Sequence, residues 1–303
     1  MIRAPLGEQT YWDEYVDFQT NAVNRIAQQI QLPPGDPAYR PQFLFNLAKE
    51  LWHLALVRYS RGDAIDELAQ YFPPLLDAWE KSETLGKHVW TEQQQHTRHA
   101  WTVNLDHYIV CFWLVGLALA LEIPDEQWRR LLALIGNEGE DELLDRVIAS
   151  RSPGRRIGTR LCHPKPYQRL LNAINSPPDQ QPGLLADFVQ HWYEELNRPP
   201  KPGLSEMTAM YDRPYWYTYG NKGLHDSGYF GRWCIEAVAA VKAFGLDDNL
   251  CLGHEHYPGD LLRPNGPSTH VARLDTTPET ASLTKDAGSI PRKGLWARWF
   301  GKE

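Results

Sequence analysis

Apolar residues along this chain recur every three or four positions, not every second one. That spacing predicts helices near 8–31, 41–60, 64–80, 91–121, 125–135, 140–150, 166–174, 183–197 and 228–245. No stretch alternates β-branched and polar residues long enough to read as a strand, and the one Asn-Gly pair, Asn265-Gly266, lacks alternating flanks. Local punctuation agrees with the helical reading. Thr91 with Gln94 makes a capping-box signature, Asp66 and Glu67 follow Asp63 onto a first turn, and Pro124-Asp125 opens another helix. Gly62, Gly136 and Gly245 stand where helices end in a left-handed residue. The expected fold class is all-α.

Three of these helices end alike, in "LALVRYSRGDAID", "LALALEIPDEQW" and "AVKAFGLDDNLC": an apolar helix, a brief turn, an acidic cap. The likeness predicts helical hairpins packed in series. The basic, Gly/Pro-broken segment 149–166 predicts the junction of two helical halves, 1–150 and 151–262. From 263 to 303 the periodicity stops, so a low-complexity, mobile tail is expected there, closing on "LWARWFGK".

One carboxylate interrupts an interior-like run. On a helical wheel of 229–244, Phe230, Trp233, Cys234, Ala237, Val238, Val241 and Phe244 share a broad apolar face. Glu236 lies opposite, with Tyr229, Arg232 and three alanines that allow another helix to come close. A glutamate so placed must be paired or protonated. Arg232, one turn earlier, is the local candidate partner, with nearby tyrosines or orphan backbone N–H groups as alternatives. Glu236 reads either as a general acid or as a buried hydrogen-bond hub, and no catalytic companion stands at a recognisable spacing beside it.

Composition narrows the function. Of 303 residues 42 % are apolar, and 12 tryptophans and 14 tyrosines can fill a large core. The net charge of −7 argues against gripping nucleic acid, which needs clustered Lys and Arg. The longest apolar run, Tyr108 to Leu121, is shorter than the ~20 residues that span a bilayer, so it reads as a core helix, with no membrane contact. The first residues lack the apolar core of a signal peptide, and Cys111, Cys162, Cys234 and Cys251 form no CxxC pair, which together point to the cytoplasm. GxSxG, GxxxxGK[ST] and GxGxxG are absent, so no cofactor is called for.

Other side chains raise chemistry without securing it. Cys251, His254, His256 and Asp260 in "CLGHEHYPGDLL" could surround zinc, though their spacing fits no finger; with Glu236, the two histidines and Asp260 give the alternative of a metal-dependent hydrolase. His96 and His99 share a helix face without the HExxH pattern. Acidic clusters remain: Glu138, Glu140, Asp141, Glu142 and Asp145 in one, Asp63, Asp66 and Glu67 in another, Asp247 and Asp248 in a third. Helix-start acids complement the macrodipole, yet the first cluster is denser than capping needs. The first two clusters are candidate surfaces for a protein partner.

Two blocks carry a resemblance. "LWHLALVRYSRGDAIDELAQYFPPLLDAWEKS" (51–82) resembles the N-terminal region of the PoNi immunity family. "FVQHWYEEL" (188–196), "GYFGRWCIEAVAAVKAFGLDD" (228–248) and "HYPGDLL" (256–262) resemble its C-terminal region. The second block carries it on Gly231, Trp233, Glu236, Ala237, Ala239, Gly245, Asp247, Tyr257, Pro258, Asp260 and Leu261. Arg232 and Gly259 depart from it, standing where aromatics are expected. The resemblance implies an all-helical, non-catalytic immunity protein. Its partner would be a cognate nuclease toxin, expected to be a restriction-endonuclease-like effector of a type VI secretion system, with a homodimer left open. It makes Glu236 and the "YPGDLL" loop architecture. A generic helical scaffold with several partners is the third reading.

Overall fold

The computed structural model describes residues 1–33, 35–197, 213–224 and 228–272. Ten α-helices follow one another among them: α1 Gln9–Ile30, α2 Arg40–Arg61, α3 Phe72–Gly86, α4 Glu92–His99, α5 Leu105–Ala120, α6 Asp125–Ile135, α7 Glu142–Ala149, α8 Pro164–Asn175, α9 Gln181–Glu195 and α10 Ile235–Phe244. No strand occurs in the described residues; the only β pairing is an isolated bridge, Asn221 with Gly223. The fold is all-α, and neighbours in sequence pack as neighbours in space: α2 against α1 and α3, and α8 against α9.

The ends follow local rules. Thr91 and Gln94 close a reciprocal capping box on α4. Gly62 (φ 104°) and Gly245 (φ 67°) end α2 and α10 in the left-handed region, where a side chain would be strained. Gly136 also has positive φ, but its ψ of −133° lies outside that region.

The centre is α5, whose residues from His107 to Leu119 are all buried. It packs against α10 through Gly116: a Cβ there would stand 2.8 Å from Ile235 Cγ2 and 3.1 Å from Ala239 Cβ. The small-residue face of α10 therefore meets a glycine on its neighbour. Trp12, Trp79, Trp101, Trp192, Trp216 and Trp233 are all fully enclosed in the same core cluster. Among the described residues no helix is long and apolar enough to cross a membrane.

Four sequence expectations need correction. The helix expected over 91–121 breaks at Ala100–Asn104, where the Asn104 side chain caps α5 at His107 N and its amide donates to Thr97 O and Arg98 O. The helix expected over 64–80 starts as a 3-10 turn, Asp66–Tyr71, and becomes α-helical only at Phe72, where Pro73 and Pro74 occupy first-turn positions that lack a partner for N–H anyway. Residues 228–234 are not helical. Gly231 adopts φ +101°, and a Cβ there would fall 2.0 Å from Trp233 Nε1. Finally, residues 263–272 are not loose: Ser268, Thr269 and His270 bond the body. The rest of the expected tail, 273–303, lies outside the described residues.

Candidate functional site

Glu236 sits in the first turn of α10 and is fully buried. Three helices bring donors to it. Trp113 of α5 donates Nε1–H to Oε2 at 3.1 Å; Tyr167 of α8 donates its hydroxyl to Oε1 at 2.9 Å; Trp192 of α9 donates Nε1–H to the same oxygen at 3.3 Å. Trp216 lies against both indoles, 5.0 Å from Trp113 and stacked at 5.9 Å on Trp192. Burial pushes the Glu236 carboxyl up to about 7, against the pull of these donors. The arrangement ties four helices at one point. A raised carboxyl would suit a general acid, but this one is fully buried and its oxygens are taken by the protein's own rings.

Arg232 is not its partner. Because the helix starts only at Ile235, Arg232 points outward, donates to Tyr219 O at 3.0 Å and to Asn221, and lies 4.5 Å over the Tyr193 ring. It thereby pins the 213–224 segment to α9. Trp233 instead donates to Ser60 Oγ at 2.8 Å, and that hydroxyl donates to Phe230 O at 2.7 Å.

The four residues of the alternative metal reading do not converge. Glu236 is closed as described. His256 Nδ1 bonds Arg232 O at 3.1 Å, and burial lowers the ring to about 4. His254 reaches Gln190 of α9 at 3.3 Å. Asp260 receives Arg3 Nε at 2.7 Å, Thr269 N at 2.6 Å, and the hydroxyls of Thr269 and Ser268 at 2.9 Å each. Among the described residues no group of three or more His, Cys, Asp or Glu side chains is placed to hold a metal ion. The side chains named for the hydrolase reading are therefore not assembled into a metal site. Beside it, Tyr257 donates to Asp248 at 2.6 Å and Arg263 at 2.9 Å, so the "YPGDLL" turn is clamped between two carboxylates. Pro258 and Gly259 are buried in it, and a Cβ on Gly259 would meet Thr269 Oγ1 at 2.7 Å: the space where an aromatic was expected is filled by the chain after 262. Asp247 is exposed and caps Asn249 N at 2.9 Å.

The first acidic cluster divides in two. Asp141 and Asp145 are fully buried and offer a partner nothing, contrary to expectation. Asp141 caps α7 at Leu143 N (2.9 Å) and Leu144 N (2.7 Å) and also takes Tyr108 OH at 3.0 Å and Cys162 N at 2.7 Å. Asp145 takes Arg155 Nε at 2.7 Å and the amides of Gly139, Asp141 and Gly158. Together they hold the 155–162 loop from beneath. Glu138 and Glu140 remain exposed and Glu142 partly so; Glu138 accepts Arg156 N at 2.8 Å, which holds its carboxyl below the usual range, and Glu142 faces Arg146 at 3.7 Å. In the second cluster Asp66 and Glu67 are exposed, whereas Asp63 is taken up by Arg61 (2.6 Å) and Arg58 (3.5 Å).

Sequence reasoning allowed a tyrosine such as Tyr167 as a partner of Glu236 but missed the two indole donors. The one available signal was a tryptophan, Trp113, in an otherwise apolar helix, since a buried indole N–H needs an acceptor. It also missed a second buried group: Asp106 accepts Tyr215 N at 3.3 Å, Lys49 lies 3.6 Å over the Tyr215 ring, and His53 bonds the Tyr215 hydroxyl. Burial pushes Asp106 up to about 6 and lowers Lys49 and His53.

Comparison with known families resolves what this architecture is. Residues 3–133 match the model of the PoNe immunity protein (PoNi) N-terminal region, and residues 139–261 match that of the C-terminal region, leaving only 134–138 between them. The chain belongs to the PoNi family. PoNi proteins are immunity proteins against polymorphic toxins, and membership implies a cognate toxin as partner. The PoNi C-terminal match contains Glu236, its donors Tyr167 and Trp192, and the whole Asp248–Asp260 turn, while Trp113 and Arg3 come from the N-terminal match. The crystal structure of Protein PA2201 from Pseudomonas aeruginosa has the same fold, with a TM-score of 0.64 at 19 % identity, covering 87 % of this chain and 90 % of that one. No curated protein matches the sequence.

Proposed function

We propose that this PoNi protein neutralises a cognate nuclease toxin, a restriction-endonuclease-like effector of a type VI secretion system, by binding it stoichiometrically and covering its active site or the path of its substrate. The paired family match over residues 3–261 carries the reading. Charge supports the nuclease part. A nuclease grips phosphate with basic residues, and a chain of net charge −7 suits such a groove. The closed state of Glu236 supports binding in place of chemistry, since the one carboxyl raised to about 7 on α10 is sealed from any substrate.

Protection must hold at low concentration, which asks for a Kd on the order of nanomolar, about −12 kcal/mol. Roughly 800 Å² per partner is enough when aromatic anchors lie inside a charged rim. Exposed Glu138, Glu140, Asp66 and Glu67, with half-exposed Glu142, are candidate rim positions. The cytoplasm is the proposed site of action, consistent with four free cysteines, of which the Cys111 and Cys251 thiols are pushed up to about 12 by burial and are unreactive. The test is co-purification of this chain with the toxin encoded beside it, followed by DNA degradation by that toxin with and without the chain. A stable complex and arrested degradation are expected. Degradation that proceeds unchanged in the presence of excess chain defeats the proposal.

A further inference from the structure

The solvent face of α1 carries a feature that neither dipole compensation nor packing explains. Asp13, Glu14 and Asp17 project from its second and third turns, beyond the first turn where the helix dipole favours acids. No Lys or Arg occurs on α1 before Arg25, and Asp13 and Asp17 are like charges one helical turn apart, an arrangement that costs helix stability. Among the described residues the cation that pairs with these acids is Arg61, 3.5 Å from Asp13, and it is already bound to Asp63. Through Arg61 this face adjoins the turn that exposes Asp66 and Glu67.

Beside the acids runs an aromatic ledge. Tyr11 stacks on Tyr15 at 5.7 Å, Tyr15 stacks on Phe18 at 6.3 Å, and Phe18 ends the series 50 % exposed, one turn from Glu14. Tyr11 is fixed from below by its hydroxyl bond to Tyr229 O at 3.3 Å. A half-exposed phenyl ring on a pre-ordered aromatic stack, rimmed by carboxylates, has the composition of a binding anchor.

We propose that the α1 face from Tyr11 to Phe18 is the docking surface for the basic, phosphate-gripping groove of the toxin, with Phe18 as anchor and Asp13, Glu14 and Asp17 as steering charges. The proposal rests on the nuclease reading above. Charge complementarity selects the occupant: a second copy of this chain would bring carboxylates against carboxylates, whereas a groove built for phosphate relieves their repulsion.

The test uses the full chain and the co-encoded toxin carrying an inactivating substitution, with association and dissociation followed at low and high salt. The triple variant Asp13→Lys, Glu14→Lys, Asp17→Lys is expected to associate at least tenfold more slowly at low salt and to lose the salt dependence of the wild type. Phe18→Ala is expected to dissociate at least tenfold faster. All four side chains are exposed, and melting curves matching the wild type certify the fold; Asp17→Asn, which removes one charge only, should show a smaller slowing in the same direction. A wild type that binds while these variants bind equally well overturns the α1 surface and leaves the toxin-binding reading standing. A wild type that does not bind overturns both. Self-association of the chain that Phe18→Ala abolishes assigns the ledge to a second copy and likewise overturns the proposal.

Discussion

Glu236 and Asp260 are both buried carboxylates in the C-terminal half, and they meet burial in opposite ways. Glu236 is held by two indole N–H groups and one phenol, all neutral. Desolvation wins there, and the carboxyl rises to about 7. Burial pushes Asp260 upward too, but the Thr269 amide, the Arg3 guanidinium and two hydroxyls outweigh it, and the carboxyl falls below its usual range. The difference is that Asp260 is less deeply buried and takes four donors, led by the Thr269 amide and joined by a cation, whereas Glu236 takes three neutral ones. A cation repays the loss of water; polarised neutral groups repay only part of it. Glu236 thus resembles a catalytic acid in its proton affinity while serving as a strut, and Asp260 resembles a metal ligand while fastening the N-terminus to residues 268–269.

The sharpest way to break the comparison is Glu236→Ala. It strands the donors of Trp113, Trp192 and Tyr167, each at about 1–3 kcal/mol, so a loss of about 5 kcal/mol is expected in denaturant unfolding at pH 6. A variant as stable as the wild type would end the strut interpretation. Next comes the pH profile. The folded protein binds a proton at Glu236 that the unfolded chain, with its carboxyl at 4.5, releases, so this contribution is full below pH 4.5 and is lost as pH rises through about 7. The span is about 3 kcal/mol. Glu236→Gln should flatten that slope by its own share; Asp106 contributes a smaller one in the same sense, from 3.8 to about 6. Asp260 has the reverse sign: its stabilisation is present above pH 3.8 and lost as pH falls through its lower folded value. Asp260→Asn is expected to cost about 2 kcal/mol at pH 7, through weakened bonds to Arg3 and Thr269, and progressively less in acid. Amide exchange at residues 3–4 and 268–270 would accelerate with it. The smallest effect belongs to the surface. Glu138→Lys should shift stability by no more than about 0.5 kcal/mol, because its carboxylate is exposed and shares Arg156 with water.

Much of the fold was legible one helix at a time. The capping box at Thr91, the left-handed ends at Gly62 and Gly245, and the burial of 108–119 all follow from residues within a turn or two of one another. Glu236 could be read as a hub from its wheel alone. Its partner could not: the choice of Arg232 assumed that the helix ran back through 228, and Gly231 at φ +101° stops it short. The acidic run 138–145 misled for a related reason. Composition cannot tell a carboxylate that faces water from one that, like Asp145, is wrapped by three amides and a guanidinium. The α1 acids are interspersed with aromatics and form no run of like charge, so composition along the chain does not set them apart.

By itself, the chain determined which segments become helices, where most of them stop and which of their faces turn inward, because spacing, capping and φ preference act over a few residues. Tertiary structure decided the partners of the two buried carboxylates Glu236 and Asp260. The three groups that hold Glu236 stand 44, 69 and 123 residues away in sequence, and Asp260 finds Arg3 at 257. Such bonds reach only a few ångströms and depend on direction, so they exist only once the helices have been brought together.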